Sequence, residues 1–114
     1  MQTKFIAFIT SGLFICCANV FAQASFVAGS GTKTCSEYID LRRKNPNMAE
    51  ITYTGWLQGY MSGINNSQGA RNLKTIEIPD YKTLGLMLES YCLKTPRSIV
   101  ALEAFRIFND LAEK

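Results

Sequence analysis

The sequence predicts an all-α protein, with one compact, irregular four-helix domain and one disulfide following a cleaved signal peptide. Three observations support this prediction. An uncharged apolar stretch near the N-terminus precedes small residues, two cysteines lie beyond it, and four later segments have helical periodicity. We divide the 114 residues into a signal peptide (1–24), a flexible leader (25–33) and a single helical domain (34–114).

The N-terminal segment has the features of an export signal. Lys4 is its only positive side chain, and the run from Phe5 to Val20 carries no charge. Ala22 and Ala24 follow with A-x-A spacing, and we place the cleavage after Ala24. The alternatives are cleavage after Ala22 and a retained membrane anchor, although about 16 apolar residues are short for a span of about 20. We therefore expect a periplasmic protein whose mature form has no integral membrane span.

Cys35 and Cys92 are the two cysteines that remain after the signal. In an oxidising compartment such a pair favours a disulfide. Closing a loop of about 58 residues would stabilise this small domain by about 4 kcal/mol in the chain-entropy model. The alternatives are two free buried thiols or a metal site, but two cysteines without any histidine cannot complete a zinc site. We predict the disulfide, and we expect no metal and no cofactor.

The first predicted helix follows the leader. Residues 25–33 are small, polar and glycine-rich, so we expect them to be flexible rather than packed. Helix one begins after Thr34, because Glu37 three residues later completes a capping box. It ends near Asn45, since Pro46 disfavours helical geometry in the residue before it and suits the first turn of helix two.

The predicted second helix, from Met48 to Asn65, is the most informative part of the sequence. At about 100° per residue its large apolar side chains share one arc, formed by Tyr53, Trp56, Leu57, Tyr60 and Ile64. Three glycines adjoin this arc, each costing about 1 kcal/mol relative to alanine, so close packing should compensate for them. We predict a helix-packing motif against the core, and the alternative is a groove for a partner's backbone. The motif consists of Gly55, Trp56, Gly59, Tyr60 and Gly63.

Two further helices are predicted after a loop at 66–79. Asp80 is the expected N-cap of helix three, which runs to about Lys94. Thr95 would cap helix four, with Pro96 in its first position. Helix four has a broad apolar face, and its charged side chains are predicted to form a solvated opposite face. These charged residues are Glu103, Arg106 and Asp110.

The composition argues against an enzyme. The absence of histidine removes the commonest general base and the commonest transition-metal ligand. Glu37 and Glu89 could in principle form a glycosidase dyad, but nothing in their spacing requires it. Of twelve basic residues one lies in the signal, which leaves eleven against nine acids and a net charge of +2. Without a long basic block, the chain is not predicted to bind nucleic acid.

Three sequence features together resemble a known group of proteins. They are Cys35 near the start of helix one, the block WLQGYMSGIN at Trp56 to Asn65, and Cys92 followed by LKTP. The pattern resembles small exported helical proteins related to the HdeA/HdeB periplasmic acid-stress chaperones and to the Rap/Tai immunity proteins, which neutralise type VI secreted amidases. It covers nearly the whole mature chain, but only the W-L-x-G-Y-x-S-G-x-N block is specific. The resemblance implies an all-α fold with a disulfide between its first and a later helix.

The functional expectation is a non-enzymatic periplasmic protein that binds another envelope or secreted protein. The resemblance favours an immunity-like inhibitor of a type VI secreted cell-wall amidase, with an acid-stress chaperone or a structural envelope protein as alternatives. The acids are too few for a strong acid trigger, and the additional cysteine pair common in the immunity proteins is missing. The sequence does not decide between a monomer and a homodimer. The candidate partner contacts lie at the end of helix two and in the loop that follows it, and they are Asn65, Asn66, Gln68, Arg71 and Asn72.

Overall fold

The computed structural model describes residues 27–114, which form an all-α domain without any named strand in that range. The predicted signal peptide and its cleavage site lie outside the described residues, as do residues 25 and 26 of the leader. The fold class and the four helices are confirmed. Helix α1 is Cys35–Lys44, α2 is a continuous run of Pro46–Ala49, Glu50–Thr54 and Gly55–Ala70, α3 is Tyr81–Lys94, and α4 is Val100–Ala112.

The start of α1 confirms the predicted capping box. The Thr34 hydroxyl accepts a hydrogen bond from the Glu37 backbone at 3.1 Å, and the Glu37 carboxylate accepts one from the Thr34 backbone at 2.8 Å. The second bond lowers the pKa of Glu37, because it stabilises the charged carboxylate. At the other end of α1, the Asn45 side chain accepts from the backbone N–H of Met48 and so caps the start of α2.

Helix α2 contains a π-helical segment, Glu50–Thr54, before its long regular part. The Tyr81 hydroxyl donates to the Glu50 carbonyl oxygen at 2.7 Å, so a side chain from α3 occupies an acceptor within that segment. The helix then continues to Ala70, which corrects the prediction of a loop from residue 66. No proline interrupts this stretch, and the backbone turns only after it, where Asn72 adopts a φ of 55°.

Helix α4 begins later than the sequence predicted. Its first residue is Val100, and the Thr95 hydroxyl donates to the Tyr91 carbonyl instead of capping a helix. The intervening segment is bonded to α1, since the backbone N–H of Cys35 donates to the Ser98 carbonyl at 2.8 Å. This long-range bond occupies the Ser98 carbonyl oxygen, which a helix starting at residue 96 would use for its own hydrogen bonds.

The charge on α4 also differs from the prediction. Glu103, expected on a solvated face, is only 1% exposed. Arg106, one turn further along the helix, donates to both Glu103 carboxylate oxygens, at 3.1 and 3.4 Å. This ion pair explains how α4 can bury a carboxylate, because a buried charge is tolerated when it is paired and hydrogen-bonded.

The leader is partly structured, which corrects the expectation of an unpacked segment. Gly29–Thr32 forms a 3₁₀ helix, and Gly31 within it is buried. A β-carbon at Gly31 would lie 2.1 Å from Cζ2 of Trp56, so the backbone of this turn touches the indole ring directly. The absence of a side chain at Gly31 is therefore what allows the contact.

One core lies between the four helices, and the predicted disulfide joins two of them through it. Cys35 in α1 and Cys92 in α3 are bonded, with Cα atoms 4.8 Å apart, and both are fully buried. None of the helices in residues 27–114 has the length and apolar character needed to cross a membrane. The fully buried core side chains include Tyr38, Leu57, Met61, Leu84, Leu88, Val100, Ala104 and Ile107.

Candidate protein-binding groove

Two glycines of α2 face open space rather than the core. Among residues 27–114, no atom outside the local helix backbone lies within 4 Å of a β-carbon built at Gly59 or Gly63, while one at Gly55 lies 3.4 Å from the Tyr81 hydroxyl. The predicted core packing of the glycine stripe is therefore wrong for Gly59 and Gly63. The core-facing side of α2 is instead formed by larger side chains, with Leu57 and Met61 fully buried.

An aromatic pair forms one wall beside these glycines. The Trp56 and Tyr60 rings stack with their centroids 5.0 Å apart and an interplanar angle of 17°. The indole Nε1–H donates to the Ala28 carbonyl oxygen at 2.8 Å, so the segment before α1 holds the ring in place. Burial raises the pKa of Tyr60, because the charged phenolate is disfavoured away from water.

The open space forms a continuous groove along α2. One cavity of about 310 Å³ and another of about 500 Å³ share Gly59 and Tyr60, so they are two parts of one depression. Hereafter it is the glycine groove. Besides the two shared residues, its lining consists of Val27, Ala28, Gly55, Trp56, Gly63, Ile64, Ser67, Gln68 and Arg71.

The predicted partner-contact residues separate into three groups. Gln68 and Arg71 line the glycine groove, as a contact role would require. Asn66 and Asn72 are exposed but are not part of its lining. Asn65 instead forms hydrogen bonds with the backbone of Ile76. The structure thus brings together two of the five predicted contacts, and it places Asn66 and Gln68 on a helix instead of in the predicted loop.

Asn65 anchors the extended segment between α2 and α3. Its amide nitrogen donates to the Ile76 carbonyl oxygen at 2.8 Å, and its amide oxygen accepts from the Ile76 backbone N–H at 3.0 Å. The Asn65 amide thus satisfies both the N–H and the C=O of Ile76, as a neighbouring β-strand would. Asn65 ends the WLQGYMSGIN block, and this pairing gives a structural reason for an asparagine at that position.

The groove offers binding groups of several kinds. Its glycine floor lets another chain approach the α2 backbone closely, and the stacked aromatic wall provides a large apolar contact. Among the described residues, Arg71 is the one charged residue in its lining, at the C-terminal end of α2. Sequence reasoning missed Val27, Ala28 and Ser67, because it treated the leader as flexible and ended the helix too early. The pairing of a glycine-rich leader with the single tryptophan was the signal that could have indicated the contact.

The two carboxylates considered as a catalytic dyad already have other partners. Glu37 caps α1, and Glu89 forms an ion pair with Arg42 at 2.7 Å. Within residues 27–114, no group of three cysteine, aspartate or glutamate side chains is arranged to hold a metal ion.

Comparisons of the chain with protein-family models, with curated proteins and with solved structures gave no match. The family resemblance of the sequence pattern therefore stays a prediction. The glycine groove is a candidate protein-binding site because of its exposed glycines and its aromatic wall.

Proposed function

We propose that this protein is a non-enzymatic binding protein of the bacterial envelope, and that it inhibits a type VI secreted cell-wall amidase by docking through the glycine groove. The observation that supports this proposal best is the open floor of the groove. Two helical glycines stand side by side with nothing packed over them among the described residues.

The energetic argument starts from the cost of these glycines. Gly59 and Gly63 each lower helix stability by about 1 kcal/mol relative to alanine. Within residues 27–114, a β-carbon built at either glycine meets no atom within 4 Å outside the local helix backbone, so no packing on that side offsets this cost. A partner segment lying on the α2 backbone would supply such contacts, including Cα–H···O interactions that a side chain would block.

The stacked rings of Trp56 and Tyr60 support the inference that the partner is a protein. Tryptophan and tyrosine dominate the binding energy of many protein interfaces, because they bury a large area with few rotatable bonds. Trp56 is already fixed by its stack on Tyr60 and by its bond to Ala28, so little conformational entropy is lost on binding. The amidase as the specific target comes from the sequence resemblance, and the predicted export signal would place this protein in the envelope, where such an amidase acts.

The test uses a variant that fills the groove without disturbing the fold. Gly63→Leu adds a side chain where the structure has open space, so the variant should fold normally. Ser90→Leu is the matched control, because Ser90 is an exposed helical position on α3 outside the groove lining. Type VI cell-wall amidases, including any encoded beside this gene, would be assayed for peptidoglycan hydrolysis with each protein.

The expected result is inhibition by the wild-type protein and by Ser90→Leu, with inhibition by Gly63→Leu reduced at least tenfold. Equal inhibition by all three proteins would show that the amidase does not bind at the glycine groove. No inhibition and no complex with any amidase would refute the proposed function. Suppression of client aggregation at about pH 2 to 3, where carboxylates protonate, would instead favour the chaperone alternative.

A further inference from the structure

A second surface lies along α1, the end of α3 and the start of α4. Cavities of about 300 and 440 Å³ share Ile39, Arg43 and Leu93, and a third of about 480 Å³ shares Pro96 with the first. None of their lining residues belongs to the glycine groove. The three cavities together are hereafter the Pro96 surface.

The Pro96 surface carries an excess of positive charge. Its lining includes two carboxylates, and both are neutralised within the protein, Glu89 by Arg42 at 2.7 Å and Asp40 by Lys44 at 2.8 Å. Arg106, another arginine of the lining, pairs with the buried Glu103. The lining arginines without an ion pair among residues 27–114 are Arg43 and Arg97.

Each unpaired arginine stands beside an exposed leucine. Leu93 is 55% exposed and lines a cavity with Arg43, while Leu102 is 43% exposed and lines the third cavity with Arg97. Leucine is costly to leave in water, at about 25 cal/mol per Å² of apolar surface. The same arrangement of one apolar and one cationic group therefore occurs on both sides of Pro96.

The surface is held rigid by covalent and hydrogen bonds. The disulfide fixes α1 against α3 directly below it, and Cys92 is part of its lining. The Ser36 backbone N–H and side-chain hydroxyl both donate to the Pro96 carbonyl oxygen, at 3.0 and 2.8 Å. A partner would thus meet a preorganised site, which reduces the entropic cost of binding.

We propose that the Pro96 surface binds an acidic segment of a partner protein that carries leucine-like side chains as well as carboxylates. Arg43 and Arg97 would each bind a carboxylate through the paired N–H donors of the guanidinium. The apolar side chains of the segment would pack on Leu93 and Leu102. Two isolated cations without an aromatic stacking platform suit such a peptide better than a nucleic acid backbone. The inference does not depend on the amidase proposal, since it uses a different surface.

The test is an NMR titration of the full-length, oxidised, ¹⁵N-labelled protein with three pentapeptides. The probe is acetyl-Leu-Glu-Leu-Glu-Leu-amide, and the controls replace its glutamates with lysine or its leucines with serine. We expect saturable shifts of the Leu93 and Leu102 amides with the probe alone. The double variant Arg43→Gln, Arg97→Gln should bind it at least tenfold more weakly, whereas Arg71→Gln in the glycine groove should bind it like the wild type.

Salt provides an independent readout, because exposed charge pairs are screened at high ionic strength. Binding that weakens as sodium chloride rises from about 0.05 to about 0.5 M supports the charge-based model. Three outcomes would overturn it. They are no shifts at millimolar probe, equal shifts with the lysine peptide, and shifts confined to the glycine groove.

Discussion

Replacing Gly31 with alanine would show whether the turn before α1 is part of the folded domain. The new β-carbon would lie 2.1 Å from Cζ2 and 2.3 Å from Cη2 of Trp56, well inside van der Waals contact. The indole ring cannot move away freely, since it stacks on Tyr60 and donates to the Ala28 carbonyl oxygen at 2.8 Å. Either the ring or the turn must therefore be displaced.

The expected loss follows from these contacts. Inserting a methyl group into a filled space costs about 1 to 3 kcal/mol. Displacing the Trp56 ring also breaks its hydrogen bond to Ala28, which contributes about 1 kcal/mol. We therefore expect Gly31→Ala to lower the free energy of unfolding by about 2 to 4 kcal/mol. A loss of that size is a large part of the 5 to 15 kcal/mol typical of native domains.

Urea unfolding followed by tryptophan fluorescence measures both effects, because Trp56 is the single tryptophan of the chain. Gly31→Ala should have a lower urea midpoint than the wild type. In the folded state its emission maximum should lie at longer wavelength, because the Trp56 indole becomes more exposed to water. The matched control is Gly63→Ala, because its β-carbon meets no atom of residues 27–114 within 4 Å outside the local helix backbone. This variant should raise stability by up to about 1 kcal/mol. If Gly31→Ala has the wild-type midpoint and emission, the turn does not pack on Trp56 and the reasoning fails.

Three further predictions concern the disulfide, acid and the α2 connection. Reduction of the disulfide, which spans 57 residues, should lower the free energy of unfolding by about 4 kcal/mol, measured by urea unfolding with and without reductant. Hydrogen bonds lower the pKa of Glu37 and of Asp80 from 4.5 and 3.8. Their stabilising effect is thus complete above about pH 5 and is lost on acidification through the lowered values. A Glu37→Gln, Asp80→Asn variant should lose less stability than the wild type between about pH 6 and about pH 2, and an equal loss would contradict these roles. Asn65→Ala should cost about 2 kcal/mol, because it leaves both backbone groups of Ile76 without partners. Asn66→Ala, at an exposed position, should stay within about 0.5 kcal/mol of the wild type.

Local signals predicted several elements of the fold well. The capping box at Thr34 and Glu37 located the start of α1, and Asp80 located the start of α3. Both predictions depend on side chains that bond to backbone groups three residues away, so the necessary information lies within one turn. The cysteine pair was equally clear, because only two cysteines followed the predicted signal.

The errors occurred where distant contacts override such local signals. Thr95 and Pro96 have the residue types of a helix start, but the neighbouring Ser98 carbonyl is bonded to the backbone of Cys35. The residues of the leader have low intrinsic order, yet Gly31 fits against Trp56 only because it has no side chain. A single sequence does not show which partner will compete for a backbone group, so these contacts were not predictable from it.

The glycine stripe shows how far periodicity can locate a site. A period of about 3.6 residues places Gly59 and Gly63 on one side of α2, but it does not give the orientation of that side within the domain. The cost of helical glycine indicated that some contact should compensate, and a second helix of the same domain was the simplest source. In the structure Tyr81 lies against Gly55, and no residue among 27–114 covers the other two glycines. The cost of these two glycines is therefore not offset within the described residues, and the proposed docking through the glycine groove would offset it.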